Sequence, residues 1–325
     1  MSFLWLYLVA FGTAFGVTFL SLPWWRSFCT ARGLIDDPGH RKIHSTPVPL
    51  AGGVAVFGGV FLSLLAGVLL VRLLPSFFTQ SHLLTHGIER RGLQLLCLLA
   101  GAVIMGGIGL LDDKIELRPG FKFGGQFAAA WLVALSGVRI TLFVHSYWFS
   151  MAVTALWVLT VVNAFNFMDN MNGLCAGLGL IGAWYFSWSA AVQGQYLVTM
   201  LAAVATGALA GFLPFNYPRA TVFLGDSGSH LVGYWMAVLA ILPHFYTPQT
   251  GRTWAVLSPL FILAVPLVDL LWVVAIRWRI GKPFYVGDNN HLSHRLERLG
   301  LSRALAVALI WLASAACGAI SFFLL

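Results

Sequence analysis

Long apolar runs separated by short polar turns set the pattern of this chain. Ten stretches carry it, roughly Phe3–Leu22, Leu50–Val71, Gly92–Leu111, Phe121–Gly137, Trp148–Phe167, Leu174–Ala191, Tyr196–Leu213, Ser229–Leu242, Trp254–Ile276 and Arg303–Leu325. A bilayer-spanning helix needs about 20 apolar residues, so each is read as a span, with the fourth and eighth short. Met1–Leu22 lacks a basic leading region and a small-x-small cleavage site, and is read as an uncleaved first span. The pattern predicts an all-α integral membrane protein of about ten transmembrane helices, with residues 1–325 forming a single polytopic domain.

Composition agrees. Hydrophobic residues make up 59% of the chain and charged residues 9%, with a mean hydropathy of +0.85, far from the soluble average. Loops after odd-numbered spans hold fourteen Lys and Arg, and loops after even-numbered spans hold five. The positive-inside rule then puts both termini outside and the odd-span loops in the cytoplasm. Nine of the eleven acids sit with those same loops. Acids contribute little to orientation, so their concentration points to cytoplasmic active-site loops. The net charge of +8 is spread over four loops and forms no groove-sized run, which excludes nucleic acid and suits lipid head groups and phosphates. The cysteines form no CxxC pair and read as small apolar filler.

Five cytoplasmic segments carry candidate chemistry. Asp36–Gly53 combines Arg41, Lys42 and His44 with Pro47-x-Pro49 and Gly52-Gly53, which fix the backbone at the lip of the second span. Asp112 and Asp113 are adjacent at the exit of an apolar run, a costly position that suggests service to a cation or a proton. As neighbours on a helix they diverge, so one acid can position a metal while the other accepts a proton. Lys122 follows, suited to a phosphate as a point charge. Asn163, Asn166 and Asp169 recur every third residue on one helix face and offer the hard oxygen donors that Mg²⁺ takes. Gly225-Asp226-Ser227-Gly228-Ser229 sets an acid at a helix N-terminus, where backbone N–H groups suit phosphate and the carboxylate suits a cation. Residues 287–300 read as a short amphipathic helix with His291, His294, Arg295 and Arg298 on one face, and Leu292, Leu296 and Leu299 resting on the bilayer. Asp269, three residues after Pro266, is an intramembrane acid and a functional candidate with no step assigned.

In this order, these stretches resemble the polyprenyl-phosphate N-acetylhexosamine-1-phosphate transferases, the glycosyltransferase family 4 membrane enzymes. The resemblance rests on Asp37-Pro38 with Arg41-Lys42-Ile43-His44 and Pro47-x-Pro49, on Gly109-Leu110-Leu111-Asp112-Asp113, and on Asn163-Ala164-Phe165-Asn166 with Asp169. It continues through Asn216 with Phe223-Leu224-Gly225-Asp226-Ser227-Gly228-Ser229, and Pro266-Leu267-x-Asp269 leading to His291-Leu292-x-His294-Arg295-Leu296. It implies transfer of a sugar-1-phosphate, GlcNAc-1-phosphate in the branch with this His-rich loop, from a UDP-N-acetylhexosamine to undecaprenyl phosphate. The products are a lipid-linked diphosphate sugar and UMP, the cofactor is Mg²⁺ with Mn²⁺ as a substitute, and the setting is cell-wall biogenesis at a bacterial inner membrane. A homodimer is compatible with it.

On this reading Asp226 and Asn166 hold the metal, Asp112 or Asp113 deprotonates or orients the lipid phosphate, and His291, His294 and Arg295 hold the diphosphate. Asn172, Asn216 and Phe223 border the uridine, and Asp169, Lys122, Arg41, Lys42 and His44 complete the substrate contacts. Two positions depart from the pattern: Asn172 stands where bacterial relatives usually carry an Asp, and Ser293 where another His is frequent. The alternatives are a nucleotide-sugar or lipid transporter, and the sister transferase acting on UDP-MurNAc-pentapeptide. The first would show inverted repeats, of which none is visible, and the second a three-histidine run, which is absent.

Overall fold

The structure is a computed structural model that describes residues 3–36, 47–73, 81–142, 144–243, 245, 253–283 and 285–324. It is helical almost throughout. The elements are α1 (Phe3–Ala31), a two-residue antiparallel pair β1 (Ile35–Asp36) and β2 (Val48–Pro49), α2 (Gly52–Leu73), α3 (Ser81–Ile115), α4 (Pro119–Leu135), α5 (Tyr147–Met168), α6 (Leu174–Val192) and α7 (Tyr196–Asn216). They continue with α8 (Gly225–Leu239), a 3₁₀ turn (Thr253–Leu257), α9 (Ser258–Ile262), α10 (Ala264–Arg279), α11 (Leu292–Arg298), α12 (Arg303–Ala319) and α13 (Ser321–Leu324).

The first eight predicted spans each fall on one helix, and the ninth and tenth each run over more than one element. Among the described residues seven helices are long and apolar enough to cross a membrane, or eight if the bent pair α9–α10 counts as one. The fourth and eighth fall short: α4 has 17 residues and α8 has 15. The outer helices turn large apolar side chains outward, among them Leu156, Trp148 and Leu312, the arrangement of an integral membrane protein whose solvent is lipid.

The ninth predicted span is broken. Its two halves meet at a 69° bend around Leu263. Pro266 has no N–H to give the carbonyl of Ile262, so the ladder opens one turn before the proline. The bend swings α10 towards α5.

Helix α8 is the hub, with nearly every residue buried between α2, α3, α5 and α6. Close approach depends on glycine. A Cβ on Gly109 of α3 would collide with the backbone of Asp226 and Ser227, and one on Gly53 of α2 with the backbone of Gly228. Two neighbouring helices therefore press on the first turn of α8, which Gly225 enters at φ +73°, a conformation that favours glycine.

Helix α11 is shorter than predicted and lies differently. It packs inward through buried Ser293 and part-buried Leu296, while Leu299 is 80% exposed. The expected Leu292–Leu296–Leu299 underside is thus divided, because His291 is drawn inward by a partner on α10 described below.

Candidate active site

The first turn of α8 is capped from another helix. Asp113, in the last turn of α3, accepts from the backbone N–H of Asp226 on Oδ1 (2.7 Å) and of Ser227 on Oδ2 (3.1 Å). A helix start leaves such donors without intrahelical partners, and a carboxylate satisfies two at once while complementing the helix dipole. Both oxygens of Asp113 are thereby committed.

Asp112 points elsewhere. Its Oδ1 accepts from the Leu117 N–H (2.7 Å), which folds the chain back towards α4, and its Oδ2 lies 2.6 Å from Lys122 Nζ. The same ammonium lies 2.8 Å from Asp226 Oδ2. On its other side, Asp226 Oδ1 accepts from Asn166 Nδ2 (2.7 Å), which also reaches Ser229 Oγ at 3.0 Å. Residues from α3, α4, α5 and α8 thus meet in one polar cluster, in which the Asp226 side chain is 31% exposed.

The remaining amides of the α5 turn serve different ends. Asn163 donates to Gln126 Oε1 (2.8 Å) and to the Leu159 carbonyl, tying α5 to α4. Asp169 caps α5. Although part of its surface is open, burial of the carboxyl, and then the negative charges of Asp226 and Asp113, push it well above the usual carboxylate range. Asn170, not singled out in the sequence, accepts from Ser293 Oγ (2.6 Å) and so docks α11 on the end of α5. Asn172 Nδ2 reaches the Pro218 carbonyl at 3.4 Å. Asn216 is buried, its amide spent on the Gly173 N–H (2.7 Å) and the Val222 carbonyl (2.9 Å). Phe223 pairs by its backbone with Pro49 and Gly52, joining the α8 approach to the entry of α2.

The histidine loop is held from below. Asp269 Oδ2 lies 2.7 Å from His291 Nδ1, and Asp269 Oδ1 accepts from the Leu292 N–H (2.7 Å) at the start of α11. Asp269, unassigned from the sequence, thus sets both the ring of His291 and the helix that follows. Arg277, 1% exposed, pairs with Asp288 (2.8 Å) and lies over the Phe167 ring at 4.7 Å. Burial alone would raise the Asp288 carboxyl, but the Arg277 guanidinium beside it and the Asn290 N–H hold it below the usual range. Phe167 meets the His291 ring edge-on at 5.7 Å, so Asn166 and His291 flank the same residue. His294 faces Glu297 at 3.5 Å, and Arg295 stacks over Trp272 at 4.8 Å. In the sequence Arg277 resembles any positive-inside anchor, and only its partner in space separates it from Arg279. Arg41, Lys42 and His44 lie outside the described residues.

A cavity of about 540 Å³ opens beside the cluster. Asp112, Lys122 and Asn166 line its polar end, and Leu156, Leu159, Leu270 and Val274 from α5 and α10 line an apolar wall. Among the described residues no three His, Cys, Asp or Glu side chains form a ready metal cage. Mg²⁺ does not need one. It characteristically takes one or two carboxylates, keeps water, and completes its shell with substrate phosphates. Asp226 and Asp112, with the carbonyl oxygen of Asn166, fit that donor chemistry.

Comparison with known proteins adds an independent line. The sequence model of Glycosyl transferase family 4 matches residues 95–244. The chain is similar to a probable undecaprenyl-phosphate N-acetylglucosaminyl 1-phosphate transferase of Bacillus subtilis, with 29% identity covering 86% of this chain and 74% of the relative. It is similar to the decaprenyl-phosphate N-acetylglucosaminephosphotransferases of Mycobacterium tuberculosis strain H37Rv, with 33% identity covering 95% and 80%, and of Mycobacterium leprae, with 36% identity covering 87% and 75%.

Proposed function

The chain belongs to glycosyl transferase family 4, and from that premise we propose that it transfers GlcNAc-1-phosphate from UDP-GlcNAc to undecaprenyl phosphate at a bacterial inner membrane. Sugar-1-phosphate transfer to a polyprenyl phosphate is the reading its relatives favour over a carrier or the UDP-MurNAc-pentapeptide enzyme. The observation that carries the fuller proposal is the cavity: acids, an amide and an ammonium at one end, an apolar wall at the other. One ligand must be charged and the other greasy.

In the reaction, an oxygen of the lipid phosphate attacks the β-phosphorus of the UDP-sugar, and the bond from that phosphorus to the bridging oxygen breaks to release UMP. Positioning and charge neutralisation supply most of the catalysis in such transfers. Asp113 is engaged by the α8 backbone, and of the pair it is Asp112 that lines the cavity, which supports Asp112 as the group that takes the acceptor's proton or orients its phosphate. Lys122 and Arg295 supply cationic donors for the diphosphate, and His291 is aimed beside them by Asp269. Asp226, Asn166 and Asp112 would hold Mg²⁺, which when bound neutralises charge developing on the diphosphate. Asp169 and Asn172, on the same turn, border the nucleotide.

The proposed topology has ten crossings with both termini external. Support comes from the cluster itself. The ends of α3 and α5 and the starts of α4 and α8 meet at one level, as short but complete crossings by α4 and α8 would require. The direct test is UMP release from a panel of UDP-sugars in detergent. Release that depends on undecaprenyl phosphate and is fastest with UDP-GlcNAc supports the proposal; vesicle uptake of the nucleotide sugar without UMP would refute it.

A further inference from the structure

Lys122 sits where a divalent ion would be expected. Its ammonium bridges Asp112 Oδ2 at 2.6 Å and Asp226 Oδ2 at 2.8 Å, oxygens contributed by two different helices. The other oxygen of each carboxylate is already engaged, Asp112 Oδ1 by the Leu117 N–H and Asp226 Oδ1 by Asn166. The two oxygens facing Lys122 are therefore the ones a cation would share, and an ammonium and a divalent ion cannot both occupy the space between them.

We propose that Lys122 is a resident counter-cation that a divalent ion displaces, so that metal entry turns the ammonium out of the carboxylate pair and towards the diphosphate. This rests on the metal assignment made above. Three acids, Asp112, Asp113 and Asp226, converge at the start of α8, and unneutralised they would repel one another at low effective dielectric. Lys122 offsets that repulsion and keeps the site assembled between turnovers. A flexible four-carbon stem suits a group that must occupy two positions, and Lys122 lines the same cavity that admits the substrates. Metal and diphosphate binding then become linked, because the ion releases the donor that the diphosphate uses.

The test is Mn²⁺ binding to the detergent-purified protein, read by electron paramagnetic resonance without nucleotide and so independently of activity. Lys122→Met should bind Mn²⁺ on the order of tenfold tighter than wild type, since a competing charge is gone, whereas Lys122→Arg should show no gain. Asp226→Asn should remove the signal from both backgrounds. Unfolding temperature provides a second reading: Lys122→Met, or Lys122→Gln if that variant is poorly folded, should be less stable than wild type without metal and regain the difference as Mn²⁺ is added. Saturable Mn²⁺ binding that is equal or weaker in Lys122→Met would overturn the displacement and leave the metal assignment standing. No saturable binding in any form, or binding that survives Asp226→Asn, would overturn both.

Discussion

Asp269 offers the sharpest single perturbation. Its carboxylate is almost wholly buried, and each oxygen takes one donor at 2.7 Å, His291 Nδ1 on one side and the Leu292 N–H on the other. Asp269→Asn keeps one acceptor and replaces the other with an NH₂ group. If the amide oxygen keeps Leu292, the NH₂ faces His291 Nδ1 as a donor, so the ring must give up an Nδ1 proton or turn out of place, and what it presents to a ligand changes. A hydrogen bond to a charged group contributes about 1.5–3 kcal/mol, so kcat/KM for UDP-GlcNAc should fall roughly 10- to 150-fold. The unfolding temperature should move little, because α11 keeps its cap. Asp269→Ala leaves both donors buried and unpaired, at about 1–3 kcal/mol each, and should lower activity and unfolding temperature together. The assay is UMP release beside a thermal melt on the same detergent preparations. Wild-type kcat/KM in Asp269→Asn, with an unchanged melt, would refute the orientation of His291 by Asp269.

Further outcomes separate the remaining roles. Asp226→Ala should abolish transfer while the protein still purifies and melts cooperatively; full turnover at low Mg²⁺ would contradict its assignment. Asp113→Ala should lower stability by about 1–2 kcal/mol through the lost α8 cap, whereas Asp112→Ala should lower kcat with a smaller change in melt; the reverse pattern would interchange the two acids. The Asp288 carboxyl is held below its usual range by Arg277, so its stabilisation is complete above the unfolded carboxylate pKa of about 3.9 and is lost as pH falls through the lower folded value. Asp288→Asn should therefore flatten the acid limb of a melt-versus-pH curve below about pH 4; an acid limb identical to wild type would exclude the pair as its source. Leu159→Trp, which fills the apolar wall of the cavity, should raise KM for undecaprenyl phosphate several-fold with little change for UDP-GlcNAc, as judged by initial rates.

Much of the site was legible because charge in an apolar chain is costly and therefore stands out. Asp112, Asp113, Asn166 and Asp226 stood out for that reason, and they occupy one cluster in space. What each does was not legible. The division between Asp112 and Asp113 depends on the rotation of α3 against α8, which Gly109 permits and no spacing along the chain encodes. Asn216 reads as a polar group awaiting a ligand until Gly173 and Val222 are seen to consume it. Arg277 and Arg279 look alike in sequence, yet only the first is buried over Phe167. Pro266 interrupts the helix ladder wherever it stands in one, but a proline alone does not set a bend of 69°.

The bend at Leu263 has a consequence for traffic. By carrying α10 over to α5, it makes Leu270 and Val274 of one helix and Leu156 and Leu159 of the other share the greasy side of the cavity, and on the proposed function that side would serve as a doorway in the flank of the protein. An acceptor can slide in sideways, headgroup first, with most of its tail still dissolved among its lipid neighbours. An entrance of this kind inspects only the first isoprene units, and turnover should be indifferent to how many more trail behind.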